Sequence, residues 1–401
     1  LCSLSAPGVP RAARILVGVR RLLAFVSTII FIDVMLFTAL TPLIPRYADE
    51  FDLSKTGAGV LVGAFGAGAV IGGILGGLAA ARLGPKRAVV AGLLLLGLAS
   101  LAFAGATSAE TLVAARLVQG LSSTITWAGA LAWLAVTAPR ERRGEVIGTA
   151  FGAAVFGAVL GPLFGGLAEV VGTRPSFATV AVVAFVCAGV ALLPRDTPAE
   201  PISTSGLSRA FRDPRFLGGL WLNTLPAFLF GMLIVLAPLA LDAEGWSAVA
   251  IAGVFFTAGL LEAALAPILG RATDRRGRLL PVRVALAASI VVATGLAAAN
   301  APVAIALLIG AGALAFGGFY TPGMALTSHR AEAVGLAQGL AFGIMNSAWA
   351  LGELTGPVLS GALANEFGDA VPYLVGAVLC GLTLLATQRV AGAQRARPRA
   401  A

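Results

Sequence analysis

Four charged side chains sit where an apolar sequence tolerates them least. Asp33, Arg116, Glu262 and Glu353 each interrupt a long, otherwise hydrophobic stretch. A carboxylate in such surroundings is neutralised by a proton or by a bound cation, but not by both at once, so the two compete for one group. That competition is the chemistry of exchange. A guanidinium cannot lose its proton there; Arg116 needs an acidic partner, a carbonyl cage or a water-filled cavity, or else it snorkels to the outer surface. Asp33 lies about 11 residues into its stretch, roughly 16 Å at 1.5 Å per residue, which places it near a bilayer midplane. Glu353 and Glu262 are further proton or cation candidates, and Glu262 has the alternative of pairing with a cavity arginine. No nucleotide loop, Ser-His-Asp set or zinc spacing accompanies them. Cys2, Cys187 and Cys380 are scattered and read as packing residues, and His329 reads as a surface residue. The expectation is a protein that is not an enzyme, holds no cofactor or metal, and draws its energy from an ion gradient.

The elements that hold these residues follow from composition. A chain of 401 residues that is 58% hydrophobic and 12% charged, with mean hydropathy +0.93, lacks the charge to cover a soluble surface, so its solvent is lipid. Apolar segments long enough to cross a bilayer recur without the alternation of a membrane barrel and must be helices, because lipid leaves no partner for an open backbone amide. Twelve spans are predicted, near 22–45, 56–81, 88–106, 109–137, 145–171, 175–194, 215–241, 246–270, 280–299, 302–328, 335–364 and 370–390. The Pro- and Ser-containing stretch 195–214 is the one long polar gap and reads as a cytoplasmic linker between residues 1–194 and 215–401. With the N-terminus inside, 24 Lys and Arg fall on the cytoplasmic side and three outside, so both termini are expected in the cytoplasm. That asymmetry explains the +9 net charge better than nucleic-acid binding does. Arg11 to Arg21 lead directly into the first span, which speaks against a cleaved signal. Arginine outnumbers lysine heavily and alanine and glycine are abundant, a compositional pointer to a GC-rich bacterial genome, so the expected location is a bacterial inner membrane.

The chain also repeats itself. Residues 148–166 read GTAFGAAVFGAVLGPLFGG, and Gly148, Gly157, Gly161, Pro162 and Gly166 recur 195 positions later as Gly343, Gly352, Gly356, Pro357 and Gly361. Glycines at such intervals form a groove for close helix approach, and the proline removes one backbone donor. Two homologous halves with a midplane site are the plan of a secondary transporter that works by alternating access.

Three motifs give the plan a family. The loop after the eighth span carries Gly270, Asp274, Arg275, Gly277 and Arg278, and the loop after the second span answers 193 residues earlier with Gly77, Ala81, Arg82 and Gly84, followed by the basic Lys86. The fourth span contains Arg116, Gln119 and Gly120. The fifth contains the glycine series from Gly148 through Gly157, Gly161, Pro162 and Gly165 to Gly166. Together these resemble the major facilitator superfamily over essentially the whole chain, and the fifth-span spacing resembles its drug:proton antiporters. The stretch from Ile32 to Pro45 is similar to the first helix of the vesicular amine transporters, with Asp33 at the position of their membrane acid.

The resemblance implies an all-α polytopic membrane protein with twelve transmembrane helices in two pseudo-symmetric six-helix bundles. It implies a proton-coupled exporter of lipophilic, cationic drugs or amines, working as a monomer, with protons, a small molecule and the lipid bilayer as partners and no nucleic acid. Asp33, Arg116, Glu262 and Glu353 would couple protons to substrate. The two loops would act as a conformational latch through Gly77, Arg82, Gly84, Gly270, Asp274, Arg275, Gly277 and Arg278, although Ala81 replaces an acid that the family usually has. Trp127, Tyr320, Asn346 and Trp349 are candidates for the substrate cavity, with anchoring at the membrane interface as their alternative. An exporter of an endogenous metabolite or lipid would use the same residues. A membrane sensor would be expected to carry a larger soluble segment than this chain shows.

Overall fold

A backbone that cannot hydrogen-bond to its solvent closes its bonds within helices, and nearly every described residue does so. A computed structural model describes residues 11–139, 142–194, 205–276, 279–336 and 338–395. Helix α1 (Arg11–Ala39) passes through a 3-10 turn at Thr41–Leu43 into the short α2 (Ile44–Glu50). There follow α3 (Lys55–Leu83), α4 (Pro85–Ala104), α5 (Ala109–Thr137), α6 (Arg143–Val171) and α7 (Thr173–Leu192). A six-residue helix, α8 (Leu207–Arg212), precedes α9 (Pro214–Ala243), α10 (Ala248–Arg276) and α11 (Leu279–Ala298). The last are α12 (Pro302–Gly317), α13 (Tyr320–Ala333), α14 (Gln338–Phe367) and α15 (Ala370–Arg395). Most of the predicted linker, 195–204, lies outside the described residues.

Ten helical segments among the described residues are long and apolar enough to cross a membrane. The two other long helices, α5 and α14, have 29 and 30 residues and are more polar. They carry Arg116, Gln119 and a run of hydroxyls in one case, and Asn346, Ser347 and Glu353 in the other. The tenth predicted span is broken: α12 stops at Gly317 and α13 starts at Tyr320. Two adjacent glycines weaken the helix there, and Pro322 has no amide with which to bond the Gly318 carbonyl four residues back.

Lipid supplies no hydrophobic drive for helix association, so these helices hold together by close packing of backbones. The repeated glycines show this twice. A side chain on Gly157, Gly161 or Gly165 of α6 would strike α1, at the Phe31 carbonyl, at Thr38 and at the Ala39 carbonyl respectively. Gly352 and Gly356 of α14 meet α9 in the same way, at the Thr224 and Phe228 carbonyls. The last glycine of each series turns elsewhere. Gly166 touches Ala252 of α10, and Gly361 touches the Lys55 carbonyl of α3. The α6 series therefore binds α1 and, with one residue, α10, while the α14 series binds α9 and, with one residue, α3.

Helix α3 is the central element of this packing. Gly68, Gly72 and Gly76 abut α5 at Leu117, Leu121, Thr124 and Ile125, while Gly59, Gly63, Gly66 and Gly73 abut α14 from Pro357 down to Ser347. At the end of the molecule away from the chain termini, Lys55 pairs with Asp369 across this seam, and Arg46 of α2 pairs with Glu169 of α6 at 3.0 Å. The close approach of α3 and α14 runs from the Lys55–Asp369 end as far as Gly73 and Ser347.

Gly157→Ala should lower the thermal unfolding midpoint in detergent, since its methyl would lie 2.5 Å from the Phe31 carbonyl oxygen and overpacking of this kind costs about 1–3 kcal/mol. Gly148→Ala is the control, because open space surrounds that position. Equal effects at the two sites would contradict the packing described here.

Candidate functional site

Helix α5 places Arg116, Gln119, Ser123 and Trp127 at intervals of three and four residues, hence on one face, and that face looks toward α1 and α3. Asp33 of α1 meets it and is 3% exposed. Its Oδ2 accepts hydrogen bonds from the Ser123 hydroxyl at 2.6 Å and from the Trp127 indole nitrogen at 2.9 Å. Trp127 in turn packs against Phe151 of α6, with ring centroids 5.4 Å apart. The carboxylate is thus oriented by two donors fixed to a neighbouring helix, and donors to an ionised oxygen are the stronger kind.

Arg116 is 1% exposed and does not reach a surface, so the snorkelling alternative falls away. Its guanidinium donates to Gln119 Oε1 at 3.1 Å and lies over the rings of Phe65 and Phe37, 4.8 and 5.9 Å from their centroids. Its Nε finds no acceptor among the described residues. Ring faces and one amide do not balance a full buried charge. The balancing field comes from Asp33 and from Glu353, both close enough for the guanidinium to feel.

Glu353 of α14 lies within the electrostatic range of Arg116 without a direct contact between them among the described residues. It accepts a hydrogen bond from the indole of Trp349, one turn earlier on α14. Trp349 stands edge-on to Tyr320 of α13, centroids 4.6 Å apart, and beside Phe230 of α9 at 6.5 Å. Phe230 also meets Phe316 of α12 edge-on. Both tryptophans singled out for their ring faces therefore also act through their N–H groups, each on a membrane carboxylate. Asn346 lies one turn further along α14 and is exposed.

Glu262 of α10 stands apart from these groups, lining a small cavity with Tyr320, and no cavity arginine pairs with it among the described contacts. In the first of the two predicted latch loops, Gly84 adopts φ +87°, a conformation suited to glycine, and joins α3 to α4. Arg82 is exposed; it is Lys86 that reaches a helix end, donating to the carbonyls of Leu192 and Pro194 after α7. Gly77 has open space around it. Gly277 and Arg278 lie outside the described residues, as do the side chains of Asp274 and Arg275; the backbone of Gly270 continues α10. Trp133 packs against Phe25 and Trp221 bonds Thr383, both away from the carboxylates, and His329 is exposed.

Sequence reading missed Ser123 as the second donor to Asp33, and it missed Phe37, Phe65, Phe151 and Phe230 as walls. The helical spacing of Gln119, Ser123 and Trp127 was a visible signal for the first. Nothing in the sequence pairs the aromatics with their partners, because those contacts join distant helices.

Residues 26–342 match the family model described as Major Facilitator Superfamily. The chain is 30% identical over 365 residues to the chloramphenicol resistance protein of Streptomyces lividans, covering 86% of this chain and 90% of that protein. It is 26% identical over 351 residues to multidrug resistance protein 1 of Bacillus subtilis (strain 168), covering 85% and 89%. Among solved structures it resembles a bacterial homologue of the human lysosomal transporter Spinster, in an inward-facing and occupied conformation. That match has TM-score 0.76 and 15% identity, covering 92% of this chain and 97% of the other.

Trp127→Phe removes one donor to the buried Asp33 carboxylate and should cost about 1.5–3 kcal/mol of stability if that carboxylate is ionised. In an Asp33→Ala background the same change should cost much less, so a double-mutant cycle by thermal unfolding should show coupling. Additive losses would mean that the indole serves packing alone.

Proposed function

The chain belongs to the Major Facilitator Superfamily, and on that premise we propose that it is a proton-coupled exporter of lipophilic, cationic drugs or amines. The observation that carries this reading is the setting of Asp33: a carboxylate 3% exposed, held by Ser123 and Trp127 and within the field of Arg116. The similarity to drug-resistance proteins supports a foreign, apolar cargo.

In this reading the chain forms two six-helix bundles, residues 1–194 and 215–401 joined by 195–214, in a bacterial inner membrane with both termini in the cytoplasm. Asp33 takes either a proton or the cationic group of the cargo. Trp127 and Phe151 on one side, and Trp349, Tyr320 and Phe230 on the other, offer ring faces to that cation. Arg116 sharpens the competition, since it repels a second cation unless an acid compensates. Glu353 supplies that acid from the opposite bundle, so occupancy of Asp33 alters the attraction between α5 and α14 across α3. Bound proton and bound cargo each permit passage between inward and outward states, whereas the empty charged site resists it. The glycine seams of α6 and α14 allow the bundles to rock without unpacking, and Lys86 with the Gly84 turn ties α4 to the end of α7.

Asp33→Asn should abolish efflux of tetraphenylphosphonium driven by a pH gradient in proteoliposomes, and should remove the pH dependence of its binding, while the protein stays monodisperse. Gradient-driven transport at the unmutated rate would sink the mechanism.

A further inference from the structure

Glu262 occupies a site of different construction from the Asp33 centre. It sits on α10 at the level where α12 gives way to α13, in a cavity of about 40 Å³ lined by Leu265, Ala266, Leu314, Gly318, Tyr320 and Thr321. A Cβ on Gly317 would collide with Glu262 Oε1, so the missing side chain at the end of α12 is what seats the carboxyl group. The helix break and the carboxylate therefore belong to one feature. In transporters a discontinuous helix near the midplane is where backbone irregularity and ion binding coincide.

No counter-charge faces this group among the described residues. Helix α6 bears nothing titratable between Glu145 and Glu169, α12 bears nothing titratable at all, and the charges of α9, Arg215 and Asp242, lie at its two ends. Arg283 of α11 donates to the Thr387 carbonyl. On α10 itself, Arg271 donates to the Pro267 carbonyl. On α13, Tyr320 shares the cavity, whereas His329, Arg330 and Glu332 stand at the far end of that helix. Among the described residues, neither a donor nor a cation cancels the charge of an ionised carboxylate here. The cavity has room for about one water-sized species. A metal ion would need about six oxygen ligands, and one carboxylate with the hydroxyls of Tyr320 and Thr321 falls short of them.

We propose that Glu262 is a second proton site, filled and emptied independently of the cargo and read through the α12–α13 break. This rests on the proton-antiport reading given above. Tyr320 connects the two centres, since it lies near both Glu262 and Glu353 and packs its ring on Trp349. Loading of Glu262 thereby reaches the cargo centre without sharing its ligand.

The test uses the purified full chain with tetraphenylphosphonium as probe, followed by infrared difference spectroscopy of carboxyl groups during pH jumps and by proton-to-probe flux ratios in proteoliposomes. Glu262→Gln should delete one protonated-carboxyl band that the probe does not perturb, and should lower the number of protons moved per probe by about one. Gly317→Ala, which crowds the seat while keeping the acid, should shift the same band. The proposal is overturned if both variants leave the spectrum unchanged, if the probe displaces the Glu262 band, or if sodium replaces the proton there. A probe-sensitive band that survives in Asp33→Asn would instead defeat the exchange reading at Asp33, independently of the result at Glu262.

Discussion

Helices in lipid approach one another only as closely as their side chains permit, and the whole arrangement depends on how thin α3 is. Its glycines bring α5 against one side and α14 against the other. Gly66 lies on the α14 backbone at Glu353 and Leu354, and the neighbouring Phe65 offers its ring to Arg116 and its carbonyl to Gly120 of α5. Arg116 and Glu353 thus lie within electrostatic range of each other on either side of α3, with the Phe65 ring against the guanidinium and Gly66 against α14. Larger residues along α3 would separate the two charges as surely as they would separate the helices.

That closeness makes it possible to bury an arginine in a membrane protein. The guanidinium has ring faces and one glutamine as immediate company, and it depends on carboxylates from two directions for the rest of its balance. Each of those carboxylates is held by an indole N–H, Asp33 by Trp127 and Glu353 by Trp349. Donors fixed on helices orient both acids. Among the described residues no indole or hydroxyl donates to Glu262, which sets it apart from the other two.

The internal repeat is carried by geometry more than by chemistry. Gly157 and Gly161 do for α1 what Gly352 and Gly356 do for α9. Lys86 donates to carbonyls at the end of α7, and Arg283, 197 residues later, donates to the Thr387 carbonyl within α15. Yet the first half holds Asp33 and Arg116, while the second holds Glu262 and Glu353. The two stretches are thus alike in their glycine packing and unlike in their charges.

Much of this was legible along the chain. Helix-length apolar runs, the 195-residue repeat and the positions of the acids follow from local composition and spacing, because a helix in lipid satisfies its own backbone and needs no distant partner to be recognised. The break between α12 and α13 was hidden inside one apolar run, where Gly317, Gly318 and Pro322 matter only together. Which donor holds Asp33, which half supplies the second acid to Arg116, and that Lys86 rather than Arg82 reaches a helix end were decided only by tertiary structure. These depend on contacts between residues about 90 to 240 positions apart, set by how closely backbones pack, and no local pattern encodes that distance.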